Sequence, residues 1–308
     1  MSEYNDARGV SPYGICTGTA DYYSYSSSSF SYSKIIMEIF TYDFMLRAFI
    51  IGGLSAILTS FLGNFLVASR QSMISDMLAH SSLAGVGMGI FFHISPYFTA
   101  MVISIIASSL LFFLTRGKKN PPEAISMMLL TGGVALALLF SHLAKDNPVS
   151  LETFLFGSIL TTTTQEIYIF SGIFAGGILF ILFFWKRLIG IFFNKDFTHS
   201  QYKNSWILEW IFFVLLGVVV AFSLKTIGAL LIGALLVIPV LTAQIFAKRF
   251  MSSILLSMII NLLGVCGGIM ISFYADIPSS SSVVLTLIVL FLVGNGIRFI
   301  FQKYQKID

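Results

Sequence analysis

The feature that most limits the fold of this chain is a series of long apolar runs. A helix needs roughly 20 apolar residues to cross the hydrocarbon core of a membrane. Hydrophobic residues make up 56% of the 308 residues and charged residues only 10%, a composition that excludes a soluble globular domain. The runs predict spans at residues 45–67, 73–92, 97–114, 124–143, 167–188, 205–224, 227–247, 252–274 and 283–300.

These runs predict an all-α, polytopic membrane protein with eight or nine transmembrane helices. Two places decide the count. Polar residues at 76 and 80 interrupt the second run and would shorten its helix. Residues 151–164 contain an apolar piece that is too short to cross the membrane, so we expect a short or re-entrant helix there.

The first 36 residues have a different composition. Residues 22–33 are almost entirely Ser and Tyr and show no apolar periodicity. The segment has neither the basic start nor the apolar stretch of a secretory signal. We expect residues 1–36 to be a disordered tail, with Met37 as an alternative translation start, and residues 37–308 to form the membrane domain.

The distribution of positive charge predicts the orientation of the chain. Lys and Arg in short loops favour the cytoplasmic side, and nearly all of them fall on one side of the predicted spans. The opposite loops carry a balanced set, Lys145, Asp146, Lys225 and Asp276. The residues predicted to be cytoplasmic are Arg70, Arg116, Lys118, Lys119, Lys186, Arg187, Lys195, Lys203, Lys248, Arg249, Arg298, Lys303 and Lys306. The net charge of +4 therefore reflects membrane orientation and gives no support for nucleic-acid binding.

An ionisable pair, Asp76 and His80, lies four residues apart within the second apolar run. In a helix this spacing places both side chains on one face. A charged group at the centre of a bilayer costs about 2.5–3.5 kcal/mol on insertion scales, so such residues are functional candidates. A carboxylate oxygen and an imidazole nitrogen suit divalent metals such as Zn(II) and Mn(II). The structural alternative is that Asp76 and His80 satisfy each other or cap a broken helix.

Motifs for covalent chemistry are missing from the sequence. It contains no phosphate-binding loop, no nucleophile elbow and no CxxC pair. Cys16 and Cys266 predict no disulfide framework. We therefore expect a protein that is not an enzyme, holds no permanent cofactor and depends on another subunit for any ATP hydrolysis.

Four stretches in order carry a family resemblance. They are residues 65–85, which contain the D-x-x-x-H pair Asp76/His80, and residues 151–160, 223–239 and 272–280. Together they resemble the membrane permeases of ABC transporters that import zinc, manganese or iron. The resemblance runs from about Met37 to the C-terminus.

The resemblance implies a set of partners and a cargo. The chain would be a permease in a bacterial plasma (inner) membrane, paired with a second permease that is either the same chain or a paralogue. Cytoplasmic ATP-binding subunits would drive import, and an extracytoplasmic metal-binding protein would deliver the metal. Asp76 and His80 would contact the metal in transit, and this pair alone does not choose among Zn(II), Mn(II) and Fe(II).

The resemblance also places a short coupling helix in the cytoplasmic stretch 194–205, where it would dock on the ATPase. Its predicted contact residues are Asp196, Phe197, His199, Tyr202 and Lys203.

Three further polar residues are weaker metal candidates. His142 and Asp146 stand four residues apart near the outer end of a predicted span and could receive metal from the binding protein. An ordinary solvated helix end is the simpler explanation, because exposed His and Asp side chains cost little in water. Glu152 belongs to a matched stretch, but a carboxylate there also suits the N-terminus of a short helix.

Other functions remain open at the level of sequence. A permease for a metal chelate, such as a siderophore or cobalamin, would not need the Asp76/His80 pair. An ion-coupled secondary carrier would work without an ATPase and often has inverted repeats, which are not visible here. An intramembrane enzyme using Asp76 and His80 as its acid–base pair lacks a nucleophile motif.

Overall fold

The structure, a computed structural model, describes residues 42–116, 121–144, 151–157, 163–193 and 204–304. The predicted tail of residues 1–36 lies outside this part of the chain. Within the described residues all regular structure is helical, which confirms the all-α prediction. The helices are α1 (Asp43–Ala68), α2 (Met73–Phe91), α3 (Pro96–Arg116), α4 (Pro122–Leu143), α5 (Leu151–Phe156), α6 (Thr164–Phe183), α7 (Trp185–Phe193), α8 (Ser205–Thr226), α9 (Ala229–Phe246), α10 (Phe250–Ala275) and α11 (Ser279–Tyr304).

Eight of these helices are long and apolar enough to cross a membrane. They are α1, α3, α4, α6, α8, α9, α10 and α11. Helix α2 has 19 residues but a more polar sequence, because it carries Asp76, His80 and several serines. Helix α5 has only six residues. The prediction of a polytopic protein with eight or nine spans and one short helix is therefore confirmed.

Local sequence explains where several helices begin and end. Pro122 occupies the first turn of α4, where its missing N–H is not needed. Thr163 and Glu166 form a capping box at the start of α6, in which each side chain accepts a hydrogen bond from the other residue's backbone N–H. The predicted span 167–188 is not one helix, because α6 ends at Phe183 and the short α7 begins at Trp185. Helix α7 carries Lys186 and Arg187 on its exposed side.

Helix α2 lies at the centre of the bundle, and most of its residues are buried. Small residues make this possible. Gly85 lies against the backbone of Ala100 in α3. A Cβ atom placed on Gly87 would lie 3.0 Å from the carbonyl oxygen of Ala137 in α4. Without a side chain between them, helix backbones can approach closely in lipid. The most exposed spans, α4 and α11, lie at the periphery.

The short helix α5 is held by two glycines with positive φ angles. Gly157 follows α5 with φ 58°, and Gly228 joins α8 to α9 with φ 91°. The two residues are in direct backbone contact, so that a Cβ on either would overlap the other segment. This contact fixes the end of α5 at the junction between α8 and α9.

Candidate metal site

Asp76 and His80 are the fourth and eighth residues of α2. Both line the same cavity, which has a volume of about 440 Å³. Asp76 is exposed to this cavity and His80 is half-buried. The structure therefore brings the two side chains together as their spacing predicts.

The opposite wall of the cavity belongs to α9. Its lining residues there include Ala229, Gly233 and Val237, which recur every four residues on one helix face. The Asp76 carboxylate lies directly against Gly233, and one of its oxygens occupies the place that a Cβ would take. Leu155 of α5 also lines the cavity. The position of Asp76 therefore depends on a glycine in a distant segment.

Helix α4 supports the pair from behind. An ideal Cβ on Gly133 would lie 3.0 Å from the backbone carbonyl carbon and oxygen of His80, so α4 packs closely against α2 at this turn. The backbone that carries His80 is thus enclosed on the side away from the cavity.

The chemistry of this pair suits a weak, transient metal site. It offers one carboxylate and one imidazole, which are oxygen and nitrogen ligands for borderline metals. In the part of the chain that the structure describes, no group of three or more His, Cys, Asp or Glu side chains is placed to hold a metal. Two ligands from one chain leave coordination positions for water or for a second subunit.

A match to a known family accompanies this geometry. The family model of the ABC 3 transport family matches residues 41–297, which contain the cavity and its walls. The chain belongs to the ABC 3 transport family. The membership confirms the resemblance seen in the sequence, and with the eight apolar helices it confirms a multi-pass membrane protein.

Two similar proteins in the ABC 3 transport family come from Haemophilus influenzae. The high-affinity zinc uptake system membrane protein ZnuB is 27% identical over 257 residues, covering 82% of this chain and 97% of ZnuB. The protein named "Probable iron transport system membrane protein" is 28% identical over 260 residues, covering 84% of this chain and 92% of its own length. Both are bacterial membrane proteins, in agreement with the predicted bacterial plasma membrane.

The fold of this ABC 3 family member is similar to a solved structure, PsaBC from Streptococcus pneumoniae in complex with Fab. The TM-score is 0.74 at 24% sequence identity, and the match covers 85% of this chain and 94% of that chain. At this identity the likeness concerns the fold.

The weaker metal candidates do not join the cavity. His142 is exposed in the last turn of α4, and Glu152 is exposed in the first turn of α5. Neither is among the residues that line the cavity. Asp146 and the predicted coupling residues Asp196, Phe197, His199, Tyr202 and Lys203 lie outside the described residues.

One charged cluster of the ABC 3 fold was not predicted from the sequence. Lys225 at the end of α8 forms an ion pair with Glu166 in the first turn of α6, and its Nζ lies 4.5 Å from the ring centroid of Tyr97 in α3. The Thr163-x-x-Glu166 pattern marks a helix start and was the available signal for Glu166. Nothing local indicates that it meets Lys225.

Proposed function

We propose that this chain is the permease subunit of an ATP-driven import system for a divalent transition metal, Zn(II), Mn(II) or Fe(II). The observation that carries the proposal is the cavity of about 440 Å³ that the Asp76 carboxylate and the His80 imidazole share, with α9 as its opposite wall. Zinc and iron in the names of the two relatives agree with this ligand chemistry.

The proposed metal path follows from the weakness of the site. Two ligands hold a metal long enough to remove it from water, but a path must also release it. The metal ion is the cargo and not a resident cofactor. Water and a second permease, either the same chain or a paralogue, would complete its coordination.

The energy for transport would come from outside this chain. No phosphate-binding loop occurs in the sequence, so ATP hydrolysis is assigned to separate cytoplasmic subunits. An extracytoplasmic metal-binding protein would supply the cargo. Residues 196–203 stay a prediction for the segment that transmits movement from the ATPase.

Metal accumulation in cells tests the proposal. Cells that carry the intact chain, Asp76→Ala or His80→Ala, at matched levels in the membrane, are analysed for Mn, Fe, Co, Ni and Zn by inductively coupled plasma mass spectrometry. We expect one metal to fall by about tenfold or more in both variants, since loss even of a residue that only supports a ligand typically costs about 10–100-fold in metal affinity. The metal that falls identifies the cargo.

The exposed His142 provides the matched control. His142→Ala removes an imidazole outside the cavity and is expected to leave metal accumulation near that of the intact chain. Unchanged levels of every metal in both Asp76→Ala and His80→Ala would show that the pair is structural, and would remove the support for a metal path through this cavity.

A further inference from the structure

Helix α9, which forms one wall of the metal cavity, contains a proline within its length. Pro239 has no N–H, so the carbonyl of Leu235 one turn earlier lacks its usual partner in the helix. Leu235 is buried, and a buried carbonyl without a hydrogen bond costs free energy. Leu235, whose carbonyl lacks this hydrogen bond, lies between Gly233 and Val237, both of which line the cavity.

Asn261 of α10 supplies the missing donor. Its side-chain Nδ2 lies 3.1 Å from the carbonyl oxygen of Leu235 and 3.0 Å from that of Ala56 in α1. A carbonyl oxygen can only accept a hydrogen bond, so the side-chain atom of Asn261 that faces Leu235 and Ala56 is its amide nitrogen, which donates. Asn261 is completely buried. A fully buried amide at the meeting point of α1, α9 and α10 therefore replaces the bond that Pro239 removes.

Helix α1 closes the same region from a third side. The Asn261 Nδ2 also lies 3.0 Å from the hydroxyl oxygen of Thr59 and 3.2 Å from that of Ser60. One turn further along α1, Gly63 lies directly against the carbonyl oxygen of Leu236. The interrupted turn of α9 is therefore fastened to both α1 and α10.

We propose that Asn261 is a positioning residue for metal transport, acting through the Leu235 carbonyl to hold the α9 wall of the cavity against Asp76. In this turn of α9, Leu235 contacts α10 and Leu236 contacts α1. Gly233, which precedes them in α9, contacts the Asp76 carboxylate. A shift of α9 by a fraction of an ångström would move the surface on which that carboxylate rests. The transport role of Asn261 rests on the proposed function.

A double-mutant cycle with Pro239 isolates this bond. Asn261→Leu removes the donor while keeping the same number of side-chain heavy atoms, and Pro239→Ala restores an N–H that can reach the Leu235 carbonyl within α9. Two quantities are measured in all four combinations: amide hydrogen exchange of residues 229–246 without metal, and metal accumulation in cells. We expect Asn261→Leu to speed exchange and lower accumulation, each on the order of tenfold. In the Pro239→Ala background both effects should be clearly smaller, because only the contacts of Asn261 with α1 are then lost.

Asn64 offers a matched control. It is a buried amide that joins α1 to α10 through Ser253 and Ser257. Among the described residues, its hydrogen bonds reach only α1 and α10. Asn64→Leu is expected to have the same effect with or without Pro239→Ala. Should Asn261→Leu fail to accumulate in the membrane, recovery of its level by Pro239→Ala would support the proposal, and failure in both backgrounds would overturn it.

Two results contradict the positioning role. One is an effect of Asn261→Leu that has the same size in both backgrounds, and the other is faster exchange in α9 with unchanged metal accumulation. The exchange measurement requires no metal and no transport. An unchanged accumulation in Asp76→Ala would therefore refute the proposed function separately from the contact between Asn261 and Leu235.

Discussion

At the scale of single residues, the candidate metal site depends as much on a missing side chain as on its ligands. Asp76 reaches its position because Gly233 leaves room for the carboxylate. Gly233→Ala would place a methyl group where a carboxylate oxygen lies and would displace Asp76 from the cavity wall. We expect metal accumulation to fall by about tenfold, the scale on which changes to residues that support a metal ligand act on metal affinity.

A glycine on another helix controls for the general effect of this substitution. Gly172 in α6 has no atom within 4 Å of the position that a Cβ would take, so Gly172→Ala is expected to leave accumulation unchanged. Equal losses in Gly172→Ala and Gly233→Ala would show that the contact with Asp76 does not matter.

Helical spacing explains why the Asp76/His80 pair could be predicted from sequence. Residues four apart share a face in any helix, so their meeting needs no knowledge of the fold. The contact between Asp76 and Gly233 joins segments more than 150 residues apart in the chain, and no local pattern reports it.

At the scale of helices, the backbone contact between Gly157 and Gly228 sets the position of α5. Gly228 has φ 91° and ψ 155°, a backbone conformation that is essentially restricted to glycine. Gly228→Ala would therefore cost about 1–3 kcal/mol in backbone strain and would also overlap Phe156. We expect a clear drop in the melting temperature of the purified protein, measured in detergent, together with reduced metal accumulation. A melting temperature equal to that of the intact chain would show that α5 tolerates the displacement.

The ion pair between Glu166 and Lys225 ties α6 to α8 at one end of the bundle. Glu166 is mostly buried, so Lys225→Met would leave its carboxylate without a countercharge, a costly arrangement. We expect Lys225→Met to lower the melting temperature more than the double variant Glu166→Gln/Lys225→Met does. A double variant less stable than Lys225→Met would mean that the two substitutions destabilise independently.

Helix existence was predictable and helix boundaries were less so. Apolar length alone located every long helix, because hydrocarbon thickness fixes how many residues a span requires. The break at Phe184 was not predicted, since residues 178–185 are all apolar and contain no Gly, Pro or charged residue that would mark the end of α6. The sequence also marked residues 151–164 as too short to cross, and the structure places the six-residue α5 there.

At the scale of the whole molecule, the positive charges predict which end of the bundle faces the cytoplasm. Labelling of single cysteines can test this in a chain whose Cys16 and Cys266 are replaced by Ser. Ile94 lies in the turn between α2 and α3, and Lys248 lies between α9 and α10. One variant carries Ile94→Cys and the other carries Lys248→Cys. A membrane-impermeant maleimide added to intact cells, with access to the plasma membrane surface, is expected to label only Ile94→Cys.

Permeabilised cells provide the control for this experiment, because both cysteines should then react. Labelling of Lys248→Cys in intact cells would reverse the orientation, and with it the assignment of the cytoplasmic loops.

Close backbone contacts at glycines join the helices of this bundle into two groups. Gly85, Gly87 and Gly133 join α2, α3 and α4 backbone to backbone, and Gly63 does the same for α1 and α9. Backbones in direct contact have no layer of side chains that can repack, so each group is stiff and resists internal sliding. The Asp76 carboxylate belongs to the first group and Gly233 to the second. The boundary between these two groups of helices therefore runs through the cavity, at the contact between Asp76 and Gly233.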